Sequence, residues 1–194
     1  MKGKIAIVVG FLAALILYWT ITGRAQVSGA EYTVGSTNLT ATVQQYISLI
    51  PSEALAAGIN FGTIYSGTTG NPALNNSNGV DGGTAYNITV DSSTTVSVNF
   101  WHKLESDLPC AGGTCTVRAS ASKTNATHGF STNETVETTW KVIGNSTVNC
   151  TDVSPGGNCW IKYYLDVSSG VVSGTYQTTY WYCGNATTGT ATCG

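Results

Sequence analysis

Residues 84–100 read TAYNITVDSSTTVSVNF. Tyr86, Ile88 and Val90 alternate with polar or small residues, and Val96, Val98 and Phe100 do the same. Aromatic and β-branched side chains at a period of two are what a half-buried strand needs. Asp91-Ser92-Ser93-Thr94 separates the two runs and predicts a hairpin turn between them. The same alternation recurs downstream. Residues 115–119 read as a short strand, 121–132 as a polar loop, and 135–143 as a strand with Trp140 and Val142 on one side. Ile161, Tyr163, Leu165 and Val167 share a face within 160–167, and Tyr176, Tyr180 and Tyr182 share one within 175–183.

Upstream, residues 59–64 alternate again, and 65–83 form a long loop of Gly, Asn and Ser. Pro51, then Glu53-Ala54-Leu55-Ala56, then Gly58 predicts one short helical turn or a bend. About eight short strands with turn-rich connections predict an all-β fold: a single β-sandwich, immunoglobulin-like or jelly-roll, spanning 46–194. No internal repeat and no linker divides it.

The segment before this domain, residues 30–49, reads AEYTVGSTNLTATVQQYISL. Leu39, Ala41, Val43, Ile47 and Leu49 occupy odd positions, Tyr32 and Val34 even ones. The phase shifts across Gly35-Ser36-Thr37-Asn38, which suits a bulge. A free apolar strand of ~13 residues spans roughly 40 Å and needs a place to be buried. Ahead of it, Lys2 and Lys4 precede an apolar run from Ile5 to Ile21, the pattern of a secretory signal peptide over 1–25. Cleavage is expected before Gln26, or after Ala30 before Glu31. An uncleaved anchor and a type IV pilin-like helix retained after processing near Gly3 are the other readings.

Only 9% of residues are charged, yet five Trp and ten Tyr remain to be buried, so the chain is not a disordered one. Without Lys2, Lys4 and Arg24, five basic residues face ten acidic ones, and no basic cluster survives to hold nucleic acid. The six cysteines, Cys110, Cys115, Cys150, Cys159, Cys183 and Cys193, predict three disulfides in an exported chain. Sequence proximity favours pairing them in that order, each clipping a surface loop. Asn-x-Ser/Thr sequons stand at Asn38, Asn75, Asn87, Asn125, Asn133, Asn145, Asn149 and Asn185, the pattern of a glycosylated surface protein carrying N-linked glycans.

No catalytic signature appears. His102 and His128 lack metal-ligand spacing, no Cys-x2-Cys pair exists, and no cofactor or metal is expected. Glu105 and Asp107 are a conceivable glycosidase pair, but a solvated charged loop explains them better. Asn76 to Asp81 carries oxygen ligands faintly like a calcium loop, without the acidic residues that bind tightly. Trp160, Tyr163, Tyr164, Tyr176, Tyr180, Trp181 and Tyr182 form an aromatic stripe able to stack on sugars, or to divide between core and subunit contact.

The order of leader, extended strand, Ile47-Ser48-Leu49-Ile50-Pro51, Gly58-Ile59-Asn60-Phe61-Gly62, then residues 84–100 and YYLDVSSGVVSGTY at 163–176 resembles the subunits of archaeal extracellular filaments. These are the threads and bundling pili assembled by donor-strand complementation; more distant is the likeness to biofilm-matrix fibre proteins of the TasA and camelysin type. The resemblance implies a sandwich missing one strand, filled by the N-terminal segment (26–45) of the next identical subunit. Tyr32, Val34, Leu39, Ala41 and Val43 would then be the plugs of the donor strand. The expected function is a secreted filament subunit for adhesion, cell contact or biofilm, with neighbouring filaments as further partners. A monomeric carbohydrate-binding adhesin of the cell surface is the alternative. N-terminal sequencing of the mature protein is expected to begin at Gln26 or Glu31; a start near Lys4 would mark pilin-type processing instead.

Overall fold

The computed structural model describes residues 45–77, 83–123, 129–187 and 193. The five donor-strand plugs, with sequons Asn38 and Asn125, lie outside the described residues. The remainder is a β-sandwich of two antiparallel sheets with almost no helix.

The first sheet is built on β8 (Asn158–Val167), where ten residues alternate between half-buried and buried without a break. One edge of β8 pairs over its length with β5 (Cys115–Ser122), from Cys115↔Val167 to Ser122↔Trp160. Its other edge is shared. β3 (Asn87–Val90) takes the beginning of β8, and β2 (Asn71–Pro72) takes Tyr164 and Leu165. β1 (Leu49–Pro51) extends the sheet beyond β3, and β6 (Glu134–Thr135) extends it beyond β5. The second sheet runs β7 (Lys141–Val142), β4 (Val98–Leu104), β9 (Tyr180–Ala186).

The buried faces meet between the sheets. Tyr86, Ile88, Val90, Ile161 and Tyr163 come from the first sheet, Val98, Phe100 and Leu104 from the second. Side chains of this size contribute about 1.5–3 kcal/mol each when fully buried.

The hairpin expected between residues 84–90 and 95–101 does not form. β3 and β4 belong to different sheets, and the connection between them passes from one sheet to the other through a largely exposed bend. Asp91 caps the bend through Ser93 N–H to Asp91 Oδ1 at 2.7 Å, as a turn residue should. The chain then leans on residues 46–48 rather than on β3: Ser48 N–H donates to Thr94 Oγ1, and Thr95 N–H to the Tyr46 carbonyl. The alternating faces of β3 and β4 are satisfied equally well by facing each other across a core as by lying side by side. Likewise the strand expected over 135–143 divides into β6 and β7, one in each sheet: Val136 N–H donates to the Val117 carbonyl of β5, Ile143 N–H to the Phe100 carbonyl of β4, and both side chains are buried.

The expected helical turn is present as α1 (Glu53–Ala56), capped by Ser52, whose hydroxyl accepts the Leu55 N–H, and closed by Gly58 at φ +106°. Of the calcium-like stretch, Asn76 is buried, and its amide both donates to and accepts from the Tyr163 backbone. That residue is a strut rather than a ligand.

All three disulfides pair in sequence order. Cys150–Cys159 departs from the expected surface clip. Both residues are fully buried, Cys159 in β8 and Cys150 beside β4, where its carbonyl accepts the Phe100 N–H. This bond staples one sheet to the other. The double substitution Cys150→Ala/Cys159→Ala is expected to lower unfolding stability by about 3–5 kcal/mol, combining loop entropy with lost core contact. Cys110→Ser/Cys115→Ser, on a half-exposed loop, is expected to cost about 2 kcal/mol at most. Guanidinium unfolding midpoints measure both.

Candidate functional site

Strand β9 lies at the edge of its sheet, and among the described residues no strand pairs with its outer side. The register fixes which groups are left over. Glu105 N–H donates to the Thr179 carbonyl, and Thr187 N–H to the Ser97 carbonyl, so the bonded pairs between β4 and β9 fall on odd-numbered residues. The backbone N–H and C=O groups of Tyr180, Tyr182, Gly184 and Ala186 therefore point away from β4. A row of unpaired groups is a template for another strand, and proteins ordinarily blunt such an edge with Lys, Pro or other charges. The sequence of β9, YWYCGNA, contains none of these.

The side chains beside that edge are apolar and incompletely covered. Tyr180 and Tyr182 turn toward the core and are partly buried, whereas Trp181, 47% exposed, faces out and donates its indole N–H to Glu105. Leu49 of β1 approaches β9 at Gly184, and Ile47, Ile59, Phe61 and Ile64 are, like Leu49, partly buried against the core. Residues 59–64 keep the alternation expected of a strand, yet pair with none among the described residues. They are anchored instead by Leu74 N–H donating to the Asn60 carbonyl and Gly62 N–H donating to Asn60 Oδ1. A Cβ on Gly184 would lie 2.9 Å from Leu49 Cδ1 and 2.7 Å from Val98 Cγ1, so a larger residue there would push both side chains aside.

A file of tyrosines leads from the core to this edge. Tyr86 packs edge-on against Tyr163 and Tyr163 edge-on against Tyr180, each at 5.3 Å between ring centres, and Tyr182 follows at 6.4 Å. Burial pushes the Tyr163 and Tyr180 phenols well above their ordinary acidity range. The hydroxyls of Tyr86 and Tyr163 have no hydrogen-bond partner among the described residues. His102 ends the polar path, with Nδ1 3.1 Å from the Tyr180 hydroxyl.

The aromatic stripe of the sequence is thus split. Tyr163 and Tyr180 go inward, Trp160, Tyr164 and Trp181 outward, and Tyr176 donates its hydroxyl to the Val172 carbonyl. Glu105 and Asp107 sit on an exposed loop and converge on nothing. Among the described residues no cluster of metal ligands occurs and no helix is long and apolar enough to cross a membrane. Of the sequons, Asn87 faces away from the buried Tyr86 and Ile88, Asn133 is exposed, and Asn75, Asn145, Asn149 and Asn185 are half-buried. Sequence reading missed the unpaired edge itself, because edge position depends on which strands neighbour β9 in space. Compared with known proteins, the chain matches no family, no curated protein and no solved structure.

His102 generates a prediction. Burial, and then the Lys141 charge, lower its pKa to about 4, against a weaker opposing pull from Glu137. The folded state keeps it neutral where the unfolded chain, at about 6.5, takes up a proton. Stability is therefore complete above pH ~6.5, falls as pH drops toward 4, and levels off below, a total of about 3 kcal/mol. Urea midpoints across pH 4–7 are expected to trace this slope, and His102→Gln to flatten it.

Proposed function

We propose that the chain is the structural subunit of a secreted filament, polymerised when the N-terminal strand of one subunit adds to the free edge of β9 in the next. The observation that carries this reading is the outer edge of β9, charge-free and paired with no strand among the described residues, beside partly buried Tyr180 and Tyr182. Residues 31–43 supply a matching element, an apolar period-two segment long enough to cover such an edge. Strand addition satisfies the outward N–H and C=O groups of Tyr180, Tyr182, Gly184 and Ala186 and seats alternate side chains beside Tyr180 and Tyr182. Tyr32, Val34, Leu39, Ala41 and Val43 are the side chains assigned to that role.

The contact is heterologous: a segment of one copy meets a different surface of the next. Such a contact repeats without closing and yields a fibre. Five apolar plugs at ~1–3 kcal/mol each make dissociation slow, and the polymer uses no nucleotide and no catalytic step. A leader that delivers the chain outside the cell, three disulfides and glycans on the surface sequons fit a fibre that must outlast proteases, in adhesion, cell contact or biofilm.

Deleting residues 26–43 is expected to leave a soluble monomer, lower in melting temperature, that forms no filaments by negative-stain electron microscopy. A synthetic peptide of residues 26–45 is expected to restore the melting temperature. A truncated protein as stable as the parent, or one that still polymerises, would sink the proposal.

A further inference from the structure

A second feature, independent of the β9 edge, lies along β4 and β7. Trp101 of β4 is paired with Val142 of β7, and Trp140 directly precedes β7. Beside them residues 144–151 form a small hairpin, closed by a bridge between Gly144 and Asn149 and by Asn145 N–H donating to the Val148 carbonyl. A shallow open groove of about 510 Å³ runs between the hairpin and the two indoles. Trp101 and Trp140 supply its apolar surface; Asn145, Asn149, Lys141 and Glu134 supply its polar groups.

The chemistry is selective. The indole N–H of Trp101 is buried with no hydrogen-bond partner among the described residues. Lys103, which does not line the groove, places Nζ 5.1 Å from the Trp140 ring centre and holds that ring in place. Lys141 pairs with Glu137 at 3.0 Å, which leaves the Glu134 carboxylate as the one net charge of the rim. The groove therefore offers flat aromatic faces ringed by amides and hydroxyls, with a single carboxylate among them. A pyranose ring has the complementary build, an apolar C–H face rimmed by hydroxyl groups.

We propose that this groove is a saccharide subsite for a neutral oligosaccharide. Two sources supply such a ligand. One is an N-glycan attached to this protein, since the sequons at Asn133, Asn145 and Asn149 stand at or beside the groove. The other is a free polysaccharide of a surface or matrix.

The test uses the full chain made in two forms, with N-glycosylation and in a host lacking it, on an array of neutral hexose and N-acetylhexosamine oligosaccharides. The unglycosylated form is expected to bind. Trp140→Ala is expected to lower affinity about tenfold or more, and Trp140→Tyr, which keeps a ring, to stay within about threefold of wild type. Both variants are expected to keep the wild-type melting temperature to within a few degrees. Titration of wild type with the bound sugar is expected to shift its indole fluorescence, a reading that does not depend on any variant folding. Binding by the unglycosylated form alone assigns the groove to the protein's own glycan; binding by both forms assigns it to an external saccharide. No binding by the unglycosylated form, or undiminished binding by a folded Trp140→Ala, overturns the proposal.

Discussion

Everything in this domain depends on β8 being buried on one face along its full length. Five inward residues, Cys159, Ile161, Tyr163, Leu165 and Val167, give the first sheet its core surface, and both edges of the strand are occupied. A strand in that position can be neither shortened nor slipped, because a slip of one residue turns its whole apolar set outward. The inter-sheet disulfide fixes the same strand covalently at Cys159. The second sheet needs only three strands because it packs against a surface already made.

That economy has a consequence at β9. Among the described residues a three-stranded sheet faces a six-stranded one and leaves β9 at an edge, where Tyr180 and Tyr182 are only partly buried against the core. Low charge sharpens the point. With 9% charged residues the chain has few Lys or Glu to guard an edge, and none falls in β9. An exposed edge of this composition is a hazard for a monomer and an asset for a polymer. The buried, partly unsatisfied tyrosine file behind it adds a polar cost that a better-covered flank would not relieve by apolar contact alone.

The outward face tells a different story from the edge. Trp101 and Trp140 are held in place by strand pairing, by Lys103 and by a hairpin whose asparagines bond one another's neighbourhood: Asn149 Nδ2 donates to the Asn145 carbonyl, and Asn145 Nδ2 to Thr132 Oγ1. Aromatic surface framed in this way by amides is the build on which the proposed saccharide subsite rests.

Read alone, the sequence determined the all-β class, the strands β8 and most of β3 and β4, the helical turn after Pro51, and the disulfide order. Each of these is local: period-two alternation, Pro and Gly punctuation, and short cysteine spacing act over a dozen residues or fewer. What only the tertiary structure decided is partnership. Alternation at Tyr86, Ile88, Val90, Val98 and Phe100 says that one face is buried, not whether the two strands lie side by side or opposite each other. The same ambiguity hid the division of residues 135–143 between sheets, the burial of Cys150 and Cys159, the placing of Trp101 and Trp140 along one groove, and the side of β9 that pairs with no strand among the described residues. Which strand neighbours which is set by how two sheets fill one core, and that is a property of the whole chain at once.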